Sequence, residues 1–227
     1  MTESAGSVKM VKVWREAALR CTKLLNNRRQ LSLSGLRLPV NLGQVHILNL
    51  ANNLLQELPE GLDAGSLANL RALILRRNCF CRLPQPLWAL GQLDELALAH
   101  NCLGQLPATF GQLQGLRTLD LDHNRLTHFP PQLLQLGRLE ELDFSSNWVR
   151  ALPPEIPRLH SIKILWLSTL QLPCLPDTFC HLGALESLML DNALHSLPPS
   201  FGDLGRLKMI NLTIGAYVQS SGVFQPT

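Results

Sequence analysis

Leu116-Arg117-Thr118-Leu119-Asp120-Leu121-Asp122-His123-Asn124-Arg125-Leu126-Thr127-His128-Phe129-Pro130 sets its apolar residues at a fixed spacing, which can be written L-x-x-L-x-L-x-x-N-x-L-x-x-[LF]-P. Within it, Leu119 and Leu121 alternate with polar neighbours, which is the two-residue period of a strand with one buried face. The asparagine follows where a strand must turn away and its backbone groups lose their ladder partners. An amide side chain both donates and accepts, so it can supply what is missing. The proline then opens a segment that cannot continue the strand.

The same phrase recurs on both sides of this stretch. It runs through Leu70, Leu73, Leu75, Asn78, Phe80 and Leu83-Pro84, then Leu93, Leu96, Leu98, Asn101, Leu103 and Leu106-Pro107. Downstream it returns as Leu139, Leu142, Phe144, Asn147, Val149 and Leu152-Pro153. An earlier copy holds Val45, Leu48, Leu50, Asn53, Leu55 and Leu58-Pro59, with extra residues after it around Asp63-Ala64-Gly65-Ser66. Two later copies are imperfect. One puts Leu170 at the asparagine position, and the other has lost a residue, so that Asn192 arrives one place early. Half-copies flank the set, with Leu31, Leu33, Leu36 and Leu38-Pro39 before it and Leu207, Ile210 and Leu212 after it. This is the signature of a leucine-rich repeat. One copy is too short to bury its own leucines, so the copies must stack around a common core. The expected fold class is α/β: a curved solenoid with parallel strands on the concave face. Phe110 and Leu113, Leu133 and Leu136, and Phe179 and Leu182 are expected to pack inward from short helical or extended segments on the convex face.

Three regions follow. Residues 1–30 read as a basic helix with Met10, Trp14, Ala17, Cys21, Leu24 and Leu25 on one face. Such a helix would cap the first leucine layer; its charge also suits a partner or a membrane surface. Residues 31–212 form the array of about seven repeats with a half-repeat at each end. Residues 213–227 are neither a repeat nor a polar cap, which predicts a poorly covered last layer. That end is expected to belong to a longer chain, to meet a partner, or to self-associate through the uncovered layer.

Leucine supplies 52 of the 227 residues, with 46% hydrophobic and 16% charged residues overall. That composition excludes wholesale disorder. Net charge is +3, divided as +5 over residues 1–30 and −2 over the remainder. This is no nucleic-acid signature. Lys9, Lys12, Arg15, Arg20 and Lys23 interrupt the start of the chain, so neither a signal peptide nor a membrane span is expected there. The six cysteines are scattered, which suits a cytoplasmic protein with reduced thiols.

The repeats resemble those of the intracellular Ras-associated and Roco-type leucine-rich repeat proteins. Likeness is closer still to a member whose repeats precede a Ras-like Roc domain and a COR domain. It is carried by Val13-Trp14-Arg15-Glu16-Ala17-Ala18-Leu19-Arg20, Leu75-Arg76-Arg77-Asn78 and Leu142-Asp143-Phe144-Ser145-Ser146-Asn147. Leu165-Trp166-Leu167-Ser168 and Glu186-Ser187-Leu188-Met189-Leu190-Asp191-Asn192 are more distinctive, and the likeness extends from Lys12 to Leu212. It implies a protein-binding array in a small-GTPase or innate-signalling pathway. GTPase activity does not transfer, because G-x-x-x-x-G-K-[ST] occurs nowhere in this chain. The alternative is a regulatory fragment or isoform of a Roco-type GTP-binding protein whose GTPase domain is absent here.

Outward strand positions define the candidate site. One row runs Asn49, Ile74, Ala97, Asp120, Asp143, Trp166, Met189, Asn211, and its neighbour runs Ala51, Arg76, Ala99, Asp122, Ser145, Ser168, Asp191, Thr213. Three zones are predicted: a basic end at Arg76 and Arg77, an acidic middle of Glu95, Asp120, Asp122, Glu141 and Asp143, and an apolar patch of Ile164, Trp166 and Met189. A tryptophan on an open strand face is the kind of anchor interfaces use, although it also suits a seal over a degenerate repeat. The acidic zone suits either steering of a basic partner or simple solvation. No pocket is expected to set one carboxylate's pKa against another's, so no catalytic pair, cofactor or metal site is predicted. His100 and His123 fall in register but lack an evident third ligand, and read as surface imidazoles. Cys79 and Cys102 also fall in register and read as free thiols.

Overall fold

The first leucine of each L-x-L, with the residue on either side of it, sets one inward side chain between two outward ones, and the strands are correspondingly short. In the computed structural model, which describes residues 45–58, 67–83, 87 and 90–214, the first six are β1 Ile47–Asn49, β2 Ala72–Ile74, β3 Glu95–Ala97, β4 Thr118–Asp120, β5 Glu141–Asp143 and β6 Ile164–Trp166. The last two, β7 Ser187–Leu194 and β8 Met209–Ile214, are longer. All eight pair in parallel and in chain order in one unclosed sheet. The expected helix over residues 1–30, the half-copy at 31–39, the extra residues around 63–66 and the tail after Ile214 lie outside the described residues.

Register places Leu48, Leu73, Leu96, Leu119, Leu142, Leu165, Leu188 and Ile210 side by side. All but Ile210 are buried. Behind them lie short 3-10 turns at Ala108–Gln112, Pro131–Gln135, Ile156–Arg158, Asp177–His181 and Pro199–Asp203. These turns bury Phe110, Leu133, Ile156, Phe179 and Phe201 against the same core. Adjacent strands lie about 4.8 Å apart, and the bulkier turns need more room, so the sheet is the inner, concave side.

Five coils leave the sheet through one strained residue followed by an asparagine, and a sixth through Thr169 and Leu170. Asn52, Arg77, His100, His123, Ser146 and Thr169 all hold φ between 50° and 58°, a region that disfavours a side chain. The next residue compensates. Asn147, 2% exposed, accepts from the Leu126 N–H at 3.0 Å and donates to the carbonyls of Leu121, Phe144 and Ser145. Asn78, Asn101 and Asn124 repeat the arrangement. Leucine at 170 breaks the series, and the early Asn192 restores it: its amide accepts from Leu170 N–H and donates to Leu167 C=O. The missing residue is absorbed by a register shift between Asp191 and Leu194. Strand β8 continues through Thr213 and Ile214, two residues past the expected end of the array.

Candidate functional site on the concave sheet

The first predicted row forms as expected, with Asn49, Ile74, Ala97, Asp120, Asp143, Trp166, Met189 and Asn211 in one register. Two residues further on, the carbonyls of Arg76, Ala99, Asp122, Ser145, Ser168 and Asp191 each accept a backbone N–H from the preceding coil, which aligns the second. Ile164, Trp166 and Met189 are each partly exposed. Trp166 is the register partner of Asp143 on one side and Met189 on the other, while Ile164 lies between Glu141 and Ser187. The apolar stretch therefore borders the carboxylates directly. The row two residues earlier, which holds Glu141, Ile164 and Ser187, ends in Met209, 57% exposed, beyond the predicted patch.

The three zones are not separate. Arg76 follows β2, yet its guanidinium meets the Asp120 carboxylate of β4 at 2.5 Å. The intervening repeat presents only Ala97 and Ala99, whose methyls leave room for the crossing. Asp120 is 7% exposed, and Arg76 is its ion-pair partner. Arg77 stands in the left-handed turn, outside the strand rows. Glu95 is exposed and Glu141 partly so.

The row of short polar side chains also has local work. Asp120 accepts from the Asp122 N–H, Asp143 from the Ser145 N–H and Asn49 from the Ala51 N–H, all at 3.0–3.1 Å. Each satisfies a backbone donor two residues on. Burial pushes the Asp143 carboxyl above the usual aspartate range, opposed by the Ser145 hydrogen bonds and reinforced by the charges of Asp122 and Asp120.

The expectation that His100 and His123 lack a third ligand is corrected by the geometry. Asp122 Oδ2 lies 2.7 Å from His123 Nδ1, the two imidazoles stack at 4.2 Å between centroids, and one ligand atom from each of the three residues lies within 4.8 Å of the others. Asp122 was legible as a row member; its convergence on both rings depends on the turn, where the imidazoles swing to the edge of the sheet. Cys79, Cys81, Cys102, Cys174 and Cys180 carry free thiols. Among the described residues, no helix is long and apolar enough to cross a membrane.

Eight stacked parallel strands backed by 3-10 turns, with a buried asparagine in the turns, define a leucine-rich repeat solenoid. The leucine-rich repeat family pattern matches residues 95–149. Among known proteins, the chain is 50% identical over 93 residues to the malignant fibrous histiocytoma-amplified sequence 1 homolog of Xenopus tropicalis, an alignment covering 39% of this chain and 9% of that protein. The mouse homolog is 42% identical over 77 residues, covering 27% of this chain and 7% of that protein. The chain thus spans less than a tenth of the relatives it matches. Among solved structures, a leucine-rich repeat protein of Leptospira interrogans superposes with a TM-score of 0.69 at 36% identity, covering 74% of this chain and 43% of that one. The plant peptide hormone receptor RGFR1 in complex with RGF2 gives 0.62 at 24% identity, covering 74% and 28%, and bears on the fold alone.

Proposed function

We propose that this solenoid is a non-catalytic scaffold that binds a protein partner on its concave face in intracellular signal transduction. The observation that carries the reading is Trp166, partly exposed beside Ile164 and Met189 and directly bordering the carboxylates of Glu141 and Asp143. Displacing water from such a cluster is favourable, and a rigid aromatic loses little entropy when it binds. Trp166, Met189 and Ile164 are the anchors. Glu95, Asp122, Glu141 and Asp143 orient a partner that carries basic residues beside an apolar one. Arg76, paired with Asp120, and Arg77 border the surface at its other margin. The partner is one of a small-GTPase or innate-signalling pathway, met in the cytoplasm, as the resemblance of the repeats to the Roco-type proteins implies.

Proximity labelling with the full chain and with Trp166→Asp tests this. The expected result is at least tenfold lower enrichment of the main partner (about 1.4 kcal/mol) with an unchanged circular dichroism spectrum. Undiminished enrichment removes the concave patch from the reading. The partial coverage of the relatives favours a second reading, a regulatory portion of a Roco-type GTP-binding protein. Micromolar GTP binding by this polypeptide itself would contradict both readings, because neither provides a phosphate cradle in this sequence.

A further inference from the structure

Two neighbouring repeats bring three metal-ligating side chains to one edge of the sheet. The His100 N–H donates to the Asp122 carbonyl at 2.9 Å, so the hydrogen bond that joins the two coils also sets His100 beside Asp122 and His123. Asp122 is partly buried while both imidazoles are exposed. Their ligand atoms lie within 4.8 Å of one another. In a tetrahedral zinc shell, with bonds of 2.0–2.2 Å, donor atoms stand about 3.4 Å apart. Exposed imidazoles close a gap of that size by side-chain rotation, without moving the core.

The surroundings favour a cation. Asp122 and Asp120 both act on Asp143, so three carboxylates share the neighbourhood, and Arg76 pairs with only one of them. The two imidazoles stack at 4.2 Å between centroids and His123 Nδ1 faces Asp122 Oδ2 at 2.7 Å, so the three donors are already gathered.

We propose that His100, Asp122 and His123 form a binding site for a divalent transition-metal ion, zinc by the character of its ligands. Two imidazole nitrogens and one carboxylate oxygen make the borderline donor set that zinc prefers. Water completes the fourth position. The site shares Asp122 with the acidic margin of the proposed partner surface and does not use its Trp166, Ile164 and Met189 anchors.

The test uses the full reduced chain, titrated with Zn²⁺ by calorimetry and with Co²⁺ by visible absorption. His100→Asn and His123→Asn are the informative variants. Asparagine tolerates left-handed φ, and Asn52 already occupies the equivalent turn. The expected result is one ion per chain with micromolar affinity. Each histidine variant weakens it at least tenfold, Asp122→Asn weakens it measurably, and His160→Asn leaves it unchanged. The cobalt spectrum shows ligand-field bands with no thiolate charge-transfer band. The proposal is overturned by absence of binding at millimolar zinc, by undiminished affinity in both histidine variants, or by a thiolate band that moves the site to the cysteines.

Discussion

Asp143 sits where a carboxylate both serves the fold and strains it. Its Oδ1 accepts the Ser145 N–H at 3.0 Å, while burial and the neighbouring Asp122 and Asp120 raise its pKa. A raised carboxyl pKa means that ionisation is harder in the folded chain than in the unfolded one, where it occurs near pH 3.9. The penalty is absent below that value, grows as pH climbs through the folded pKa, and is complete at neutrality. An asparagine in its place would keep the acceptor, as Asn49 does for Ala51. Asp143→Asn should therefore raise the melting temperature at pH 7 by about 1–3 °C, an effect limited by solvent screening at this partly exposed site. The gain should disappear near pH 3, and an equal gain at both pH values would show that charge is not the cause. Asp143's row was legible, because period two fixes which residues point outward. The pairing of Arg76 with Asp120 was not. It depends on a long side chain crossing two alanines of the intervening repeat, and no adjacent-repeat pattern encodes that.

At the level of the repeating coil, the residue entering each strand carries an ordering device. Arg71, Asp94, Arg117, Glu140, Lys163, Glu186 and Lys208 alternate in sign along one edge. Arg71 pairs with Asp94 at 2.9 Å, Glu140 takes both Arg117 and Lys163, and Lys208 meets Glu186 at 2.6 Å. A slip by one repeat would set like charges side by side, so the series opposes misregistered stacking as well as holding the correct one. The hydrogen bond from Lys163 lowers the Glu140 pKa, its charge and Arg117 add to this, and burial opposes them. Stability from this group is therefore present above the unfolded glutamate value near 4.3 and is lost as pH falls through the lowered folded pKa. Glu140→Gln should reduce the melting temperature by about 1 °C at pH 7 in low salt. The difference should shrink near 1 M salt, where the screening length is about 3 Å, and should also shrink as pH falls below about 4.3. A difference that survives high salt would assign the effect to packing. The series is written in the 23-residue period, and it becomes visible once adjacent entry positions are compared in sign. By contrast, the rescue of a degenerate coil by Asn192 required the bulge in β7, which a missing residue announces without saying where the chain absorbs it.

The whole molecule is a one-dimensional stack in which each leucine layer is covered only by its neighbours. Equivalent positions therefore differ in worth according to their place along the axis. Leu142 is 0% exposed and stands in register between Leu119 and Leu165, whereas Ile210, at the same position in β8, is 42% exposed. A carboxylate at residue 142 would lie in hydrocarbon with no partner, a cost of several kcal/mol that rivals the roughly 5–15 kcal/mol stabilising a typical domain. It would also uncouple the coils on either side. At residue 210 the same carboxylate reaches water, and only the last coil loses contact. Leu142→Asp is accordingly expected to abolish the cooperative melting transition or lower it by more than about 10 °C. Ile210→Asp should lower it by only about 2–4 °C. Hydrogen exchange distinguishes the two routes: in Ile210→Asp the amides of β3 to β6 stay protected while those of β8 exchange early. Equal losses from the two substitutions would mean that the layer around Ile210 is as well covered as the centre, and that stability does not fall off toward this end of the stack.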